Sequence, residues 1–291
     1  MKPEPAAGKT KNDGKLFVVA TPIGNLGDIS QRALSTLSEV HTIAAEDTRR
    51  TRTLLTHFAI AKKNLVSLHA HSTEHDVARI LDELVSGNDV ALVTDAGTPI
   101  VSDPGAVLVR AAIAKDISVI PIPGASAVLA AIAGSGLCES GFRFLGFLPR
   151  TGTERRTLIA RAADTPETVV IFEAPNRVQD TLNDLAEIMP DRDVCVAREL
   201  TKIHEEFVRG KLSELAGVER EWMGEAVLVL GEWVPENREG EITDAVIDAK
   251  IDQELDHGMH AKTIAEKLSA FSGRAKREVY ARVLERKRYR E

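Results

Sequence analysis

The sequence predicts an α/β protein: two α/β domains in series, followed by a small helical module. Three observations carry that prediction. Short apolar runs of strand length alternate with helix-period stretches along most of the chain, the pattern of a largely parallel sheet covered by helices. Three of the early runs end in loops dense in glycine, proline and aspartate. Beyond a linker-like segment, Pro235–Gly240, only helical patterning remains.

In the first half the strand candidates are Lys15–Ala20, Thr42–Ala45, Asn64–His69, Asp89–Thr94 and Ser118–Ile122. Helices are expected between them at Ser30–Val40, Arg49–Phe58, Glu74–Ser86 and Pro104–Lys115. Asp103 is placed to cap the last of these, with Pro104 at its first position, and Gly87 stops the third. A helix of small residues, Ala125–Ala133, ends near Gly134 and Gly136. Phe142–Leu148 then leads into Pro149, where the chain is expected to cross to a second domain. That domain reads as a helix (Thr153–Ala163), a strand (Thr168–Phe172), a helix (Asn176–Ile188), a strand (Asp193–Ala197), a polar stretch (Leu200–Glu206) and a last strand (Glu225–Leu230). Its higher β content suggests a mixed sheet. Three short helices follow at Thr243–His257, Ala261–Phe271 and Arg274–Lys287, with Gly258 and Gly273 at the breaks. The expected division is a tail at 1–14, domains at 15–148 and 149–234, and the module at 241–291.

The 291 residues suffice for two cores, and 43% hydrophobic with 28% charged residues is ordinary for a soluble globular protein. No apolar run reaches the roughly 18–20 residues of a membrane span. Met1–Asp13 lacks the apolar segment of a signal peptide and is expected to be a disordered tail. Two cysteines, Cys138 and Cys195, in apolar settings argue against a disulfide framework and suit the cytoplasm. The net charge of −7 excludes a generic polyanion binder, yet from His260 onward ten basic residues face four glutamates. Such a module either meets phosphate or is a solvated helix face.

Familiar motifs are excluded one by one. Gly8-Lys9-Thr10 mimics the end of a Walker loop, but Pro3 stands where its first glycine is needed. No G-x-G-x-x-G joins a strand to a helix, and no G-x-S-x-G elbow occurs. His69 and His71 would share a strand face, with His75 one turn on, and they read as local packing or hydrogen bonding rather than as a metal site. What remains is TDAGTPIVSDPG (Thr94–Gly105) after a buried strand, with TPIGNLGD and PGASA after two others. Loops at the carboxyl ends of parallel strands bind ligands in α/β proteins. In PGASA small residues allow close backbone approach, and Ser126 offers a hydroxyl or a helix cap. Gly97-Thr98-Pro99 offers an exposed backbone turn or a purely structural crossover. Three such loops point to an enzyme.

Taken in order, VATPIGNLGDIS, AAEDTRRTRTLL, VTDAGTPIVSDPG, PIPGASA, GFLPR, FEAPNRV, ARELTK and GEAVLVLG resemble the bacterial 16S ribosomal RNA cytidine 2′-O-ribose methyltransferases of the tetrapyrrole methylase superfamily. The resemblance runs from about Lys15 to the C-terminus, and the motifs are specific as a set. It implies a class III methyltransferase: two α/β domains holding S-adenosylmethionine in the cleft between them, a homodimer, and the 30S ribosomal subunit as partner. The superfamily's G-x-G-P-G-D loop is longer here and carries different glycines; Pro22 and Leu26 are the contacts it implies. The Gly-Gly-Asp-Pro loop corresponds to Ala96-Gly97-Thr98-Pro99, with Thr98 in place of the acid, and Val101 matches a backbone contact. Ser126 and Ala127 stand for a Thr-Ala pair, and Glu173, Leu200 and Ala226 for contacts from the second domain.

A ribose hydroxyl would then attack the methyl group in line, with a carboxylate as general base. Glu46, Asp47 and Asp103 are the candidates; each could instead pair with an arginine or cap a helix. Arg49, Arg50 and Arg52 beside the acidic pair, and Lys276 and Arg277 in a helix-turn-helix-like appendage, are the expected RNA contacts. Two competing functions are a C-methylase of tetrapyrrole precursors and a non-catalytic RNA-binding protein. The first needs a broad apolar trough and no basic module; the second would not keep the glycine-rich loops.

Overall fold

The computed structural model describes residues 14–69, 72–101, 105–218, 220–233, 244–256, 259–272 and 274–288. Its first half alternates strand and helix: β1 (Leu16–Val19), α1 (Gln31–Glu39), β2 (Thr42–Ala45), α2 (Thr48–His57), β3 (Asn64–Ser67), α3 (Glu74–Val85), β4 (Val90–Val93), α4 (Ala106–Ala114), β5 (Val119–Ile122) and α5 (Ala127–Ser135). The five strands form one parallel sheet in the order β3-β2-β4-β1-β5. Alternation along the strands feeds two cores, one on each face. Val90, Leu92, Leu16 and Val18 pack with Ile80, Leu84 and Leu108 on one side. Ala91, Val93, Val19 and Ile43 pack with Ala33, Leu37 and Leu55 on the other.

The helices form where sequence spacing and caps agree. In α3, Val77, Ile80, Leu81 and Leu84 recur at helical spacing and are buried, and Thr73 with Asp76 closes a capping box. Asp47 caps α2 by accepting the amides of Arg49 at 2.7 Å and Arg50 at 3.4 Å. The start of α4 departs from expectation. It begins at Ala106 rather than Pro104, with Gly105 at the cap position and no side-chain cap. Gly105 has φ +124°, and a Cβ there would lie 2.8 Å from Leu92 Cδ2, so only glycine fits the strand-facing bend. Asp103 and Pro104 lie outside the described residues.

The second sheet draws on β6 (Phe142–Phe147), β7 (Thr168–Glu173), β8 (Asp193–Arg198), β9 (Glu206–Lys211) and β10 (Ala226–Leu230), with helices α6 (Gly152–Ala163), α7 (Val178–Ala186) and α8 (Leu212–Ala216). Its order is β6-β7-β10-β8-β9, with β6 and β7 parallel and the other pairs antiparallel. The mixed sheet is as expected, but its membership is not. Phe142–Phe147, which reads as a connection, is a strand of this sheet, and the polar stretch ends in a further strand, β9. The passage between sheets therefore precedes Phe142 rather than falling at Pro149. It is made by α5, whose Val128 and Ala131 are buried among Val170, Ala197, Val227 and Val229. Helix α5 follows the first sheet in the chain and serves the core of the second.

The C-terminal module is compact by itself. Helices α9 (Asp244–Asp256), α10 (Ala261–Ser272) and α11 (Lys276–Arg288) share a core of Ile247, Ile251, Ile264, Leu268, Val279 and Val283. Arg282 pairs with Asp248 at 2.6 Å and Arg286 pairs with Asp252, tying α11 to α9. Among the described residues no helix is long and apolar enough to cross a membrane.

Candidate active site

The loops leaving β1, β2, β4 and β5 lie at the carboxyl edge of the parallel sheet, and hydrogen bonds stitch all four together. Thr21 and Gly97 exchange backbone bonds, Thr21 N–H to Gly97 O at 2.9 Å and Gly97 N–H to Thr21 O at 3.0 Å. Thr21 Oγ1 donates to Thr94 O at 3.1 Å, and Thr98 Oγ1 donates to Ala125 O at 3.2 Å. The φ of +80° at Gly97 makes the first exchange possible, and a Cβ there would press on Ile23 at 3.2 Å.

These loops and the ends of β6, β7 and β10 enclose a cavity of about 340 Å³, within the range of small-molecule sites. Apolar side chains dominate its walls, among them Ile23, Val101, Val128, Phe147, Phe172 and Val227. A bulge in β6 between Phe144 and Phe147 breaks the alternation, so both rings pack edge-on against Phe172, at 4.8 and 5.4 Å. On the α5 side, Ser126 caps the helix by accepting the Leu129 amide at 3.4 Å. The amides of Ala127 and Val128 begin that helix and have no acceptor within it, which leaves donors at the cavity wall.

The acidic edge of the cavity is organised around Asp95. Glu46 Oε2 accepts Thr94 Oγ1 at 2.6 Å and the Asp95 amide at 3.3 Å. Asp95 Oδ1 accepts the Asp47 amide at 3.0 Å, and Arg50 lies 3.5 Å from Oδ2. Burial, then the charge of Glu46, hold the Asp95 carboxyl above the usual carboxylate range, against the opposing pull of the Asp47 amide and Arg50.

Of the residues the sequence singles out, Gly97, Thr98, Val101, Ser126, Ala127, Glu173 and Ala226 all border this cavity, as do Glu46 and Arg50. The details correct several expectations. Both backbone polar groups of Gly97 are bonded to Thr21, so neither is offered to the cavity. Glu173 borders the cavity, but alternation along β7 sends Phe172 to the α5 face and the Glu173 carboxylate to the other. There it accepts the Ala174 amide and Thr181 Oγ1 and lies 3.3 Å from Arg177 Nε, so both of its oxygens are engaged within the protein. Leu200 does not line the cavity; it is buried in the core of the second sheet, turned inward between Glu199 and Thr201, both at positive φ. Pro22 and Leu26 border a neighbouring hollow instead, because the Thr21–Gly97 bridge fixes the start of their loop.

Asp47 is engaged as the cap of α2, Arg49 and Arg52 are exposed on that helix, and Asp103 is outside the described residues. On the module, Lys276 is paired with Glu266 at 2.9 Å while Arg277 is exposed. Sequence reasoning misses Asp95, Phe147 and Phe172. The signal for Asp95 is present: it follows Thr94 inside the glycine-rich loop already marked for function. Among the described residues no group of three or more His, Cys, Asp or Glu side chains could hold a metal ion, and His71 lies outside them.

Comparison with known proteins agrees with this architecture. Residues 15–216 match the model of the tetrapyrrole (corrin/porphyrin) methylases. A ribosomal RNA small subunit methyltransferase I from Halalkalibacterium halodurans is 43% identical over 290 residues, covering 96% of this chain and 98% of that protein. One from Thermotoga maritima is 47% identical over 219 residues, 75% of this chain and 98% of its own. Among solved structures, a diphthine synthase aligns with a TM-score of 0.59 at 19% identity, over 75% of this chain and 90% of that one. The uroporphyrin-III C-methyl transferase of Thermus thermophilus complexed with S-adenosyl homocysteine aligns with a TM-score of 0.54 at 20% identity, over 75% and 98%. At such identities the structural likeness speaks for the fold alone. The fold and the matched span define a tetrapyrrole methylase domain. The chain belongs to that family and, within it, to the ribosomal RNA small subunit methyltransferase I group.

Proposed function

We propose that the protein transfers a methyl group from S-adenosylmethionine to the ribose 2′-hydroxyl of a cytidine in 16S rRNA of the small ribosomal subunit. The observation that carries this reading is the 43% identity to a small-subunit rRNA methyltransferase across nearly the whole chain, C-terminal module included. The cavity suits the methyl donor. Its apolar walls with Phe172 and Val227 fit a nucleoside, the first-turn amides of α5 fit a carboxylate, and Glu46 fits a cation.

Bound there, S-adenosylmethionine supplies a methyl group activated by its sulfonium. The protein's part is to position and to exclude water. Holding acceptor and donor in an attacking geometry can contribute about 7–11 kcal/mol. The stitched Thr21, Thr94, Gly97 and Thr98 backbone gives that geometry a rigid floor. With Asp47 engaged as the cap of α2, Glu46 and Asp95 are the carboxylates that the β2 and β4 loops bring to the cavity.

A cytoplasmic homodimer completes the reading. Val107 and Ile113 on α4 are 54% and 60% exposed, and Leu129 on α5 is 57% exposed, apolar surface that a second copy would cover. The test is to incubate the protein with labelled methyl donor and unmodified 30S subunits, digest the rRNA and map the label by mass spectrometry. The expected product is a single 2′-O-methylcytidine. Label on a base, or on a uroporphyrinogen-like ring in place of rRNA, contradicts the assignment.

A further inference from the structure

A second cavity of about 420 Å³ adjoins the first. One wall is a face of α2: Arg50, Thr53, Leu54 and His57 fall at i, i+3, i+4 and i+7 and so point the same way. The opposite wall is the loop after β1, with Pro22 and Leu26, and Lys202 also borders the space. The two cavities share Ile23, Arg50, Asp95, Ala96 and Glu225. A methyl group passes only between molecules in contact, so an acceptor must reach the donor across these shared residues.

We propose that this second cavity receives the acceptor ribonucleotide, with Asp95 at the junction taking the proton of its 2′-hydroxyl. The inference rests on the methyltransferase reading above and assigns the subsite that reading leaves open. Pro22, Leu26 and Leu54 offer apolar surface to a base. Arg50 offers a cation to a phosphate: its side chain is 68% exposed and, among the described residues, pairs only with Asp95, at 3.5 Å. Lys202 is already held by Glu199 at 2.9 Å and Glu225 at 3.2 Å.

Two carboxylates are shared by the cavities. Glu225 is 75% exposed on its side chain and is bound to Lys202, whereas Asp95 is 23% exposed and lies in the floor. The charged groups around Asp95 are Glu46 at the end of β2, and Asp47 and Arg50 at the start of α2. Burial and Glu46 raise its proton affinity, which suits a base better than a free carboxylate does. In the step, the hydroxyl oxygen bonds to the methyl carbon as the carbon–sulfur bond breaks. Sulfur keeps that electron pair and leaves as a neutral thioether, and the hydroxyl proton passes to Asp95.

Two variants of the full-length protein test this. Thr53 is exposed on the cavity face of α2, so Thr53→Trp fills the space without entering a core. It is expected to bind S-adenosylhomocysteine within about twofold of wild type by calorimetry, while affinity for unmodified 30S subunits by filter binding and methylation rate each fall at least about tenfold. Asp95→Asn keeps an oxygen for the Asp47 amide. It is expected to hold both affinities within about threefold, to lose about 100-fold in turnover, and to lose the acid limb of the pH–rate profile. In wild type that limb sits above the range of an ordinary aspartate. A Thr53→Trp protein that binds and methylates 30S normally, or an Asp95→Asn protein with the wild-type pH profile, overturns the subsite. Wild-type protein that binds S-adenosylhomocysteine yet leaves 30S unmodified removes the rRNA reading and the subsite with it.

Discussion

Arg192 is fully buried, and among the described residues it meets no carboxylate. Its guanidinium instead donates to the carbonyls of Ala162 at 2.8 Å, Gly231 at 2.8 Å and Glu167 at 2.9 Å. One side chain thereby closes the end of α6, the approach to β7 and the exit from β10. Helix α6 ends beside it, where a positive charge is favoured by the helix dipole. Burial brings its pKa down to about 10, so it remains charged at neutral pH. Replacing it with methionine keeps much of the volume and strands the carbonyls of Gly231 and Glu167, at roughly 1–3 kcal/mol each, while Ala162 O keeps the Thr165 amide at 3.2 Å. Arg192→Met is therefore expected to lose about 2 kcal/mol or more in urea unfolding, with cofactor affinity changed only through the folded fraction. A loss under about 1 kcal/mol would show that water replaces the guanidinium.

Among the elements, the sequence is legible where periodicity and caps are local. The parallel strands and the apolar runs that become β7, β8 and β10 follow from residue spacing alone, whereas Ser126, inside the helix expected at Ala125–Ala133, is the cap of α5. Phe142–Phe147 is not legible as a strand. Phe142, Phe144 and Phe147 violate strict alternation, and only the bulge, a tertiary feature, reconciles them with one face. Nor is β9, EFVRGK, whose glutamate, arginine and lysine read as a loop; it lies at the sheet edge, paired to β8 alone, where charge is tolerated. The role of α5 is hidden for a different reason. Its composition, AVLAAIAGS, is apolar nearly all round, so spacing cannot say which sheet it serves. The same limit applies to the site. The glycine-rich loops mark the cavity, but which carboxylate faces it depends on hydrogen bonds between loops about 48 residues apart.

At the scale of the whole molecule, the methylase unit and the helical module each have their own core, which makes the module separable. Much of the module's positive charge is spent internally, in Arg282–Asp248, Arg286–Asp252, Lys276–Glu266 and Lys267–Glu254 pairs. Such exposed pairs stabilise little, but they subtract from what is left for phosphate. Of the module's described cations, Arg277 and Lys287 enter no ion pair, and Lys262 acts on Glu266 only as a weaker neighbouring charge. Deleting residues 241–291 should therefore weaken 30S binding and lower its salt slope by about 2–3, at roughly 0.9 for each phosphate no longer neutralised. S-adenosylhomocysteine affinity should not change. A slope that stays the same would free the module of any part in RNA binding.

The central test is a crystal structure of the protein grown with S-adenosylhomocysteine. The expected density places the nucleoside between the Ala96–Val101 loop and Phe172 and Val227, the amino-acid end within reach of the Ala127 and Val128 amides, and the second cavity open beside the sulfur. Ligand bound elsewhere on the chain, or packed into the space between α2 and Pro22, would contradict the assignment of both cavities.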